Sequence, residues 1–364
     1  MNELEAKLAR YRNFWDNKPV DRPLVGFDVA GWFPFRRFSD LRKIPDGGHI
    51  EPGALDPRRC LPDYREAHLR ALEVPDDFIK GVSPISAIPW LEAMLGCRLR
   101  RNGDGVWAEE RRADWGELAN LDFPSSNPWF RLYTDFVKAL SAQAGGEHPV
   151  GVPILRGVSD LMGALRGHTE SIIDCMENPE DSRKLARKCA AVLIRVTRAH
   201  HAACAPFAGG HFIEQYSMWA PGPLVRMQED ASAVLSPEIY RSIVMEADRA
   251  IARAFPYSLI HLHSSSLFLI DLFLEIREIG VFQINRDVGE MGLPEMMPHL
   301  KKIQDRGRRI FLRGPLTEED FRLVAEELDP RGLAVQSVVS SPEEARELAL
   351  GAARVFGRAP GSAP

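Results

Sequence analysis

The chain has 364 residues with a formal net charge of −5; 45% of it is hydrophobic and 27% charged. That is enough chain to bury a sizeable core, in one large domain or two medium ones. The slight acidic balance leaves no electrostatic footprint for nucleic acid or an anionic membrane, and no apolar run reaches the ~18–20 residues of a membrane span.

The opening stretch MNELEAKLARYRNFWDN carries Leu4, Leu8, Tyr11 and Trp15 at three- and four-residue spacing, which predicts a helix over roughly residues 2–17. It holds no signal-peptide apolar region. The five cysteines are scattered and include no CxxC pair, so reduced thiols in a cytoplasmic protein are expected. DRPLVGFDVAG (21–31) reads as a buried first strand. Residues 32–65, rich in Pro and Gly and without a sustained period, read as a long loop or lid. FIKGVSPISAI (78–88) is the second strand candidate, and CRLRRNGDGVWAEERR (97–112) a β-hairpin turning at NGDG.

HPVGVPILRG (148–157) predicts the third strand, followed by the helical SDLMGALRG and a long helix over about 180–205. Further strands are expected at 209–217, 258–265, 281–287, 308–314 and 332–339. After the last two of these, TEED (317–320) and SPEE (341–344) carry helix-start chemistry, with Ser341 as cap and Pro342 in the first helical position. Eight apolar strands alternating with helices predict a parallel sheet covered on both faces, and most simply a (β/α)8 TIM barrel with an N-terminal helix, a long loop after strand 1 and a β-hairpin insertion. The expected organisation is one barrel domain over residues 1–357 and a disordered tail over 358–364. No glycine-rich phosphate loop follows the first strand, so no nucleotide cofactor is expected.

In such a barrel, chemistry gathers at the C-terminal ends of the strands. Those ends carry Asp28, Ser83 and Ser86, Arg156 and Asp160, Glu214 and Tyr216, His261 and His263, Asn285 and Asp287, Arg313, and Gln336 with Ser337. Polar side chains inside apolar strands are costly unless paired or used. His261 and His263 share a face of one strand, either as hydrogen-bonded interior residues or as a metal or substrate pair. A cation there would need Glu214, Asp287 or Asp28 to complete its shell. Arg156 and Arg313 read either as clamps for an acidic group or as members of buried ion pairs.

Several segments in order, RPLVGFDVAG, PWLEAMLGCRL, PILRGVSDLMGALRG, EDASAVLSPEIYRSIVMEADRAIARAF and SSPEEARELALGAARVF, resemble the uroporphyrinogen decarboxylase superfamily. That group of (β/α)8 barrels also holds zinc-dependent methyltransferases that move methyl groups between a corrinoid protein and a thiol. The decarboxylase arginine pair is missing, since DVAGW places Asp28 and Trp32 there. Ala87 replaces the pyrrole-binding aspartate, and the histidine of the last loop is absent. The methyltransferase branch, with a His-x-Cys zinc motif on strand 5, is similar to His261-x-His263 with a histidine for the cysteine.

The resemblance implies metal-assisted methyl transfer involving a corrinoid protein, with Zn2+ held by His261, His263 and Glu214. Asp287 and Tyr216 would be catalytic, with Asp28, Trp32, Arg156, Trp219, Arg313 and Gln336 binding substrate. The alternatives are a decarboxylase of a tetrapyrrole or other small acid, and a non-catalytic tetrapyrrole- or corrinoid-binding barrel. The corrinoid would arrive on a partner, because the chain has no D-x-H-x-x-G motif. A homodimer is the expected assembly.

Overall fold

The computed structural model describes residues 2–29 and 37–357. Its strands are β1 (Leu24–Val29), β2 (His49–Ile50), β3 (Leu99–Asn102), β4 (Gly105–Ala108), β5 (His211–Ile213), β6 (Met218–Ala220), β7 (Leu224–Gln228), β8 (Tyr257–Leu262), β9 (Val281–Asn285), β10 (Arg309–Gly314) and β11 (Leu333–Val339). Six of them form one parallel sheet in the order β1-β11-β10-β9-β8-β7. Helices pack between successive strands, so most strand side chains are buried on both faces. This is why the strands read as near-continuous apolar runs rather than alternating ones. The register sets Gln228, His261 and Gln283 side by side, and two residues further along β9 it sets Asn285, Arg313 and Gln336 in a second row. The polar residues inside these strands are thus collected near one end.

The expected strand at 78–88 is reduced to a bridge between Val82 and Val150, and that at 148–157 to Val150 and a second bridge from Val152 to Ile213. Prolines at 84, 149 and 153 remove ladder donors there. Side chains replace the ladder beside β1. Asp77 accepts from the Val25 amide at 2.9 Å and is gripped by both terminal nitrogens of Arg22, at 2.5 and 2.9 Å, while Asp76 accepts from the Phe27 amide at 3.0 Å. The expected fourth strand, 209–217, is a hairpin instead. β5 reverses through Ser217, at φ 48°, and pairs antiparallel with β6. The parallel strand that follows, β7, lies outside every predicted strand.

The β-hairpin insertion is present as β3 and β4, extended by β2 into a three-stranded antiparallel sheet. Part of the expected loop over 32–65 is helical. Asp56 caps the Arg58 amide, Pro57 opens the first turn, and the helix Pro57–Ala71 runs through Pro62. The N-terminal helix Glu3–Trp15 starts with a capping box on Asn2 and buries Leu8, Tyr11, Phe14 and Trp15, leaving Leu4 39% exposed. These aromatics meet Phe78, Trp219, Leu259 and Phe311 in an apolar cluster at the opposite end from the polar rows. Each fully buried side chain of that size contributes about 1.5–3 kcal/mol. All five cysteines are buried and unbridged. No helix among the described residues is long and apolar enough to cross a membrane.

Candidate metal centre

β8 ends at Leu262, so His261 lies within the strand and His263 one residue beyond it, on the same face. Their rings stand edge to face, 4.8 Å apart. β7 ends at Gln228, and the chain turns at once into the short 3-10 helix Asp230–Val234. That turn brings Asp230 Oδ1 to 3.6 Å from His261 Nε2 and 3.6 Å from His263 Nε2. The three ligand atoms lie within 4.8 Å of one another, and no other such group of three occurs among the described residues. Asp230 Oδ1 is buried and accepts no hydrogen bond. A separation of 3.6 Å is too long for a hydrogen bond and close to the roughly 3.3–3.5 Å between ligands on a tetrahedral zinc. An orphaned carboxylate oxygen between two imidazole nitrogens therefore fits a shared cation.

The surrounding side chains hold this arrangement. Gln228 Nε2 donates to Asp230 Oδ2 at 2.6 Å, and the buried Asp160 accepts from the Ala231 amide at 3.1 Å, fixing the turn. His261 Nδ1 bonds Gln283 Oε1, and His263 Nδ1 bonds Asp287 Oδ2 at 2.9 Å. Each ring is thus anchored through Nδ1 and presents Nε2 to Asp230, the pattern metal-binding histidines use.

Charge follows the same division. Burial pushes His261 down to about 3, so it is a neutral imidazole. The adjoining carboxylates Asp230 and Asp287 lift His263 to about 10. Burial alone would raise Asp230, yet His263, His261 and Arg156 hold it at about 2. A divalent cation would displace the His263 proton, so uptake would release protons. Two imidazoles and one carboxylate make a three-ligand set with open positions, suited to zinc and to other divalent first-row metals.

The carboxylate of this group is Asp230 where Glu214 was expected. Glu214 sits in the turn between β5 and β6, outside the six-stranded sheet, and takes the Ser83 and Ser86 hydroxyls at 3.3 and 3.4 Å. Its carboxyl is pushed up by burial. Tyr216, expected to be catalytic, is fully buried. Its hydroxyl accepts from Arg226 at 3.1 Å and its ring packs on Phe311. Trp219, expected in a substrate pocket, is also fully buried and belongs to the far apolar cluster, where its indole donates to the Phe207 carbonyl.

Arg313 donates to Gln336 at 2.9 Å and to Asp28 at 2.5 Å, so these three expected substrate contacts bind one another. Arg156 stays at the centre: its guanidinium lies 3.7 Å from Asp230 and 3.8 Å from the buried Glu92. Asp287 meets His263 as described. Trp32 and the tail 358–364 lie outside the described residues. Sequence reasoning did not single out Asp230 as a candidate ligand. Its signal was the acidic pair Glu229–Asp230 directly after the strand-like run LVRMQ.

No family model matches the chain, and no curated protein matches it in sequence. Among solved structures it is similar to a methyltransferase from Methanosarcina mazei, with a TM-score of 0.66 and 12% identity over 95% of this chain and 98% of that one. The shared property at that identity is the fold.

Proposed function

We propose that this protein is a metal-dependent methyltransferase of the uroporphyrinogen decarboxylase-like (β/α)8 class, working with a corrinoid protein. Barrel closure is supported by contacts that continue beyond the six-stranded sheet. The Asp77 amide bonds the Val25 carbonyl, residues 82 and 149–151 exchange amide bonds, and Gly157 lies so close to the Gln228 carbonyl that a Cβ would meet it at 1.3 Å. With segments 77–82 and 149–157 counted as strands, the cylinder has eight, and the β5–β6 hairpin is an addition to it.

The observation that carries the functional reading is the convergence of Asp230, His261 and His263, with Asp230 Oδ1 otherwise unpartnered. These three residues would hold the metal, which when bound supplies a Lewis acid able to keep an acceptor atom deprotonated at neutral pH. Asp287 orients His263 by accepting from its Nδ1, which leaves Nε2 to the metal. Arg156, partly exposed beside Asp230, anchors an acidic group of the acceptor. The similarity in fold to a methyltransferase supports the choice of reaction.

The test is metal analysis of tag-free protein, followed by incubation with methylcobalamin and a panel of small thiols. One equivalent of metal, lost in Asp230→Ala, His261→Ala and His263→Ala but kept in Glu214→Gln, together with demethylation of the corrinoid, is the expected result. Metal content indifferent to the three substitutions, or tight porphyrin binding by metal-free protein without methyl transfer, overturns the reading.

A further inference from the structure

Gln283, Asn285 and Asp287 follow one another at two-residue spacing along β9 and its extension, so all three face the same side. We propose that Asn285, which hydrogen-bonds to neither imidazole, sets the tautomer of His261 through a one-way hydrogen-bond relay anchored on Asp287. This makes it a positioning residue for the metal centre, and the proposal rests on the metal reading above.

The direction is forced link by link. Asp287 Oδ2 takes His263 Nδ1, and its Oδ1 takes Asn285 Nδ2 at 3.3 Å. An ionised carboxylate only accepts, so Asn285 must turn its amide nitrogen towards it. The Asn285 carbonyl oxygen is then left for Gln283, whose Nε2 donates to it at 2.9 Å. That in turn leaves Gln283 with only a carbonyl oxygen to offer His261 Nδ1. A carbonyl cannot donate, so Nδ1 must carry the hydrogen and Nε2 keeps its lone pair, pointed at Asp230. Gln283 and Asn285 are fully buried, so water does not offer either amide an alternative partner. The charge of one carboxylate thus fixes both histidines, one by contact and the other three links away.

The relay predicts effects at a residue to which Asn285 makes no hydrogen bond. In 15N-histidine-labelled, metal-free protein at neutral pH, long-range 1H–15N spectra should show His261 as a single Nδ1–H tautomer, its signals assigned by their loss in His261→Gln. Asn285→Leu frees the Gln283 amide to turn. His261 should then become a tautomer mixture, and the dissociation constants of Zn2+ and Co2+ should rise about 10–100-fold. Asn285→Thr, which keeps one donor and one acceptor, should restore most of the affinity.

Melting curves establish that each variant is folded. Should Asn285→Leu fail to fold, Asp287→Asn serves, because an amide can present either face and so removes the anchor. An unchanged His261 tautomer with metal affinity within twofold of wild type in Asn285→Leu, an unchanged tautomer in Asp287→Asn, or an Nε2–H tautomer in the wild type overturns the relay. A wild-type Nδ1–H tautomer in a protein that takes up neither metal supports the relay and overturns the metal reading instead.

Discussion

Two arginines that look equivalent in sequence have opposite surroundings. Arg313 is fully buried and committed to Asp28 and Gln336, so it completes an internal network. Arg156 has a side chain 36% exposed, lies beyond hydrogen-bond range of both its acidic neighbours, and makes no hydrogen bond among the described residues. A guanidinium fork in that state suits a carboxylate or another oxyanion. Replacing each by methionine should separate the two roles. Arg313→Met removes its bonds to Gln336 and to Asp28, whose side chain is 25% exposed, and should cost about 1.5–3 kcal/mol, the usual loss for hydrogen bonds to a charged group. Arg156→Met should change stability little, because Glu92, already pushed up to about 7 by burial, takes a proton when its cation is removed. Competition assays with paired anionic and neutral thiols on metal-loaded protein should show the anionic preference lost only in the Arg156 variant. Equal melting temperatures for the two variants, or equal ligand preferences, would contradict this division.

At the scale of elements, the strands that place the histidines were legible because β8 to β11 are apolar runs, the last two followed by helix-start signals at Thr317 and Ser341. The region from 206 to 228 was not. Its first apolar run, around Phe212, has the composition of a barrel strand, but Ser217 reverses it into a hairpin and the parallel strand comes only at β7. Composition cannot separate these two because both are buried; the difference lies in which neighbour each pairs with. That one displacement moved the expected acidic ligand from Asp230 to Glu214. It also carried Trp219 from the floor of the molecule to an imagined substrate pocket. Trp219 supports the floor, since Trp15 donates to its carbonyl at 2.8 Å and Tyr11 meets its ring edge at 6.2 Å. Trp219→Ala should lower stability by about 3–5 kcal/mol, as for other buried aromatic truncations, while metal stoichiometry below the melting transition stays at the wild-type value. Chemical denaturation with metal analysis of the folded fraction checks both halves, and loss of metal from folded protein would return Trp219 to the site.

At the scale of the whole molecule, the buried carboxyl groups Glu229, Asp248 and Asp160 lie close together beneath the candidate metal site. Glu229 holds the Val158 and Ser159 amides at 2.8 and 3.0 Å, and so carries the start of the helix Val158–Arg166. Asp248, on the helix Met245–Arg253, accepts from Tyr240 at 2.7 Å and faces Glu229, with Asp160 adding negative charge from a third element. Burial comes first in raising Asp248, to about 7, and the neighbouring Asp160 adds to it. An unfolded aspartate titrates near 3.9, so the native state binds the more protons between the two values. Stability from this group is therefore whole below about pH 4, falls as pH rises towards 7, and is not regained above that. Asp248→Asn keeps an acceptor for Tyr240 and gives Glu229 a donor that never ionises. Its stability relative to wild type should be near zero or slightly negative at pH 4, and should rise steadily to a plateau at neutral pH. Urea denaturation of both proteins at several pH values between 4 and 8 reads the difference directly, cancelling the titration of groups remote from Asp248. A difference that is flat with pH would mean that Asp248 is ionised throughout, and that the layer beneath the candidate metal site is compensated by charge instead of by shared protons.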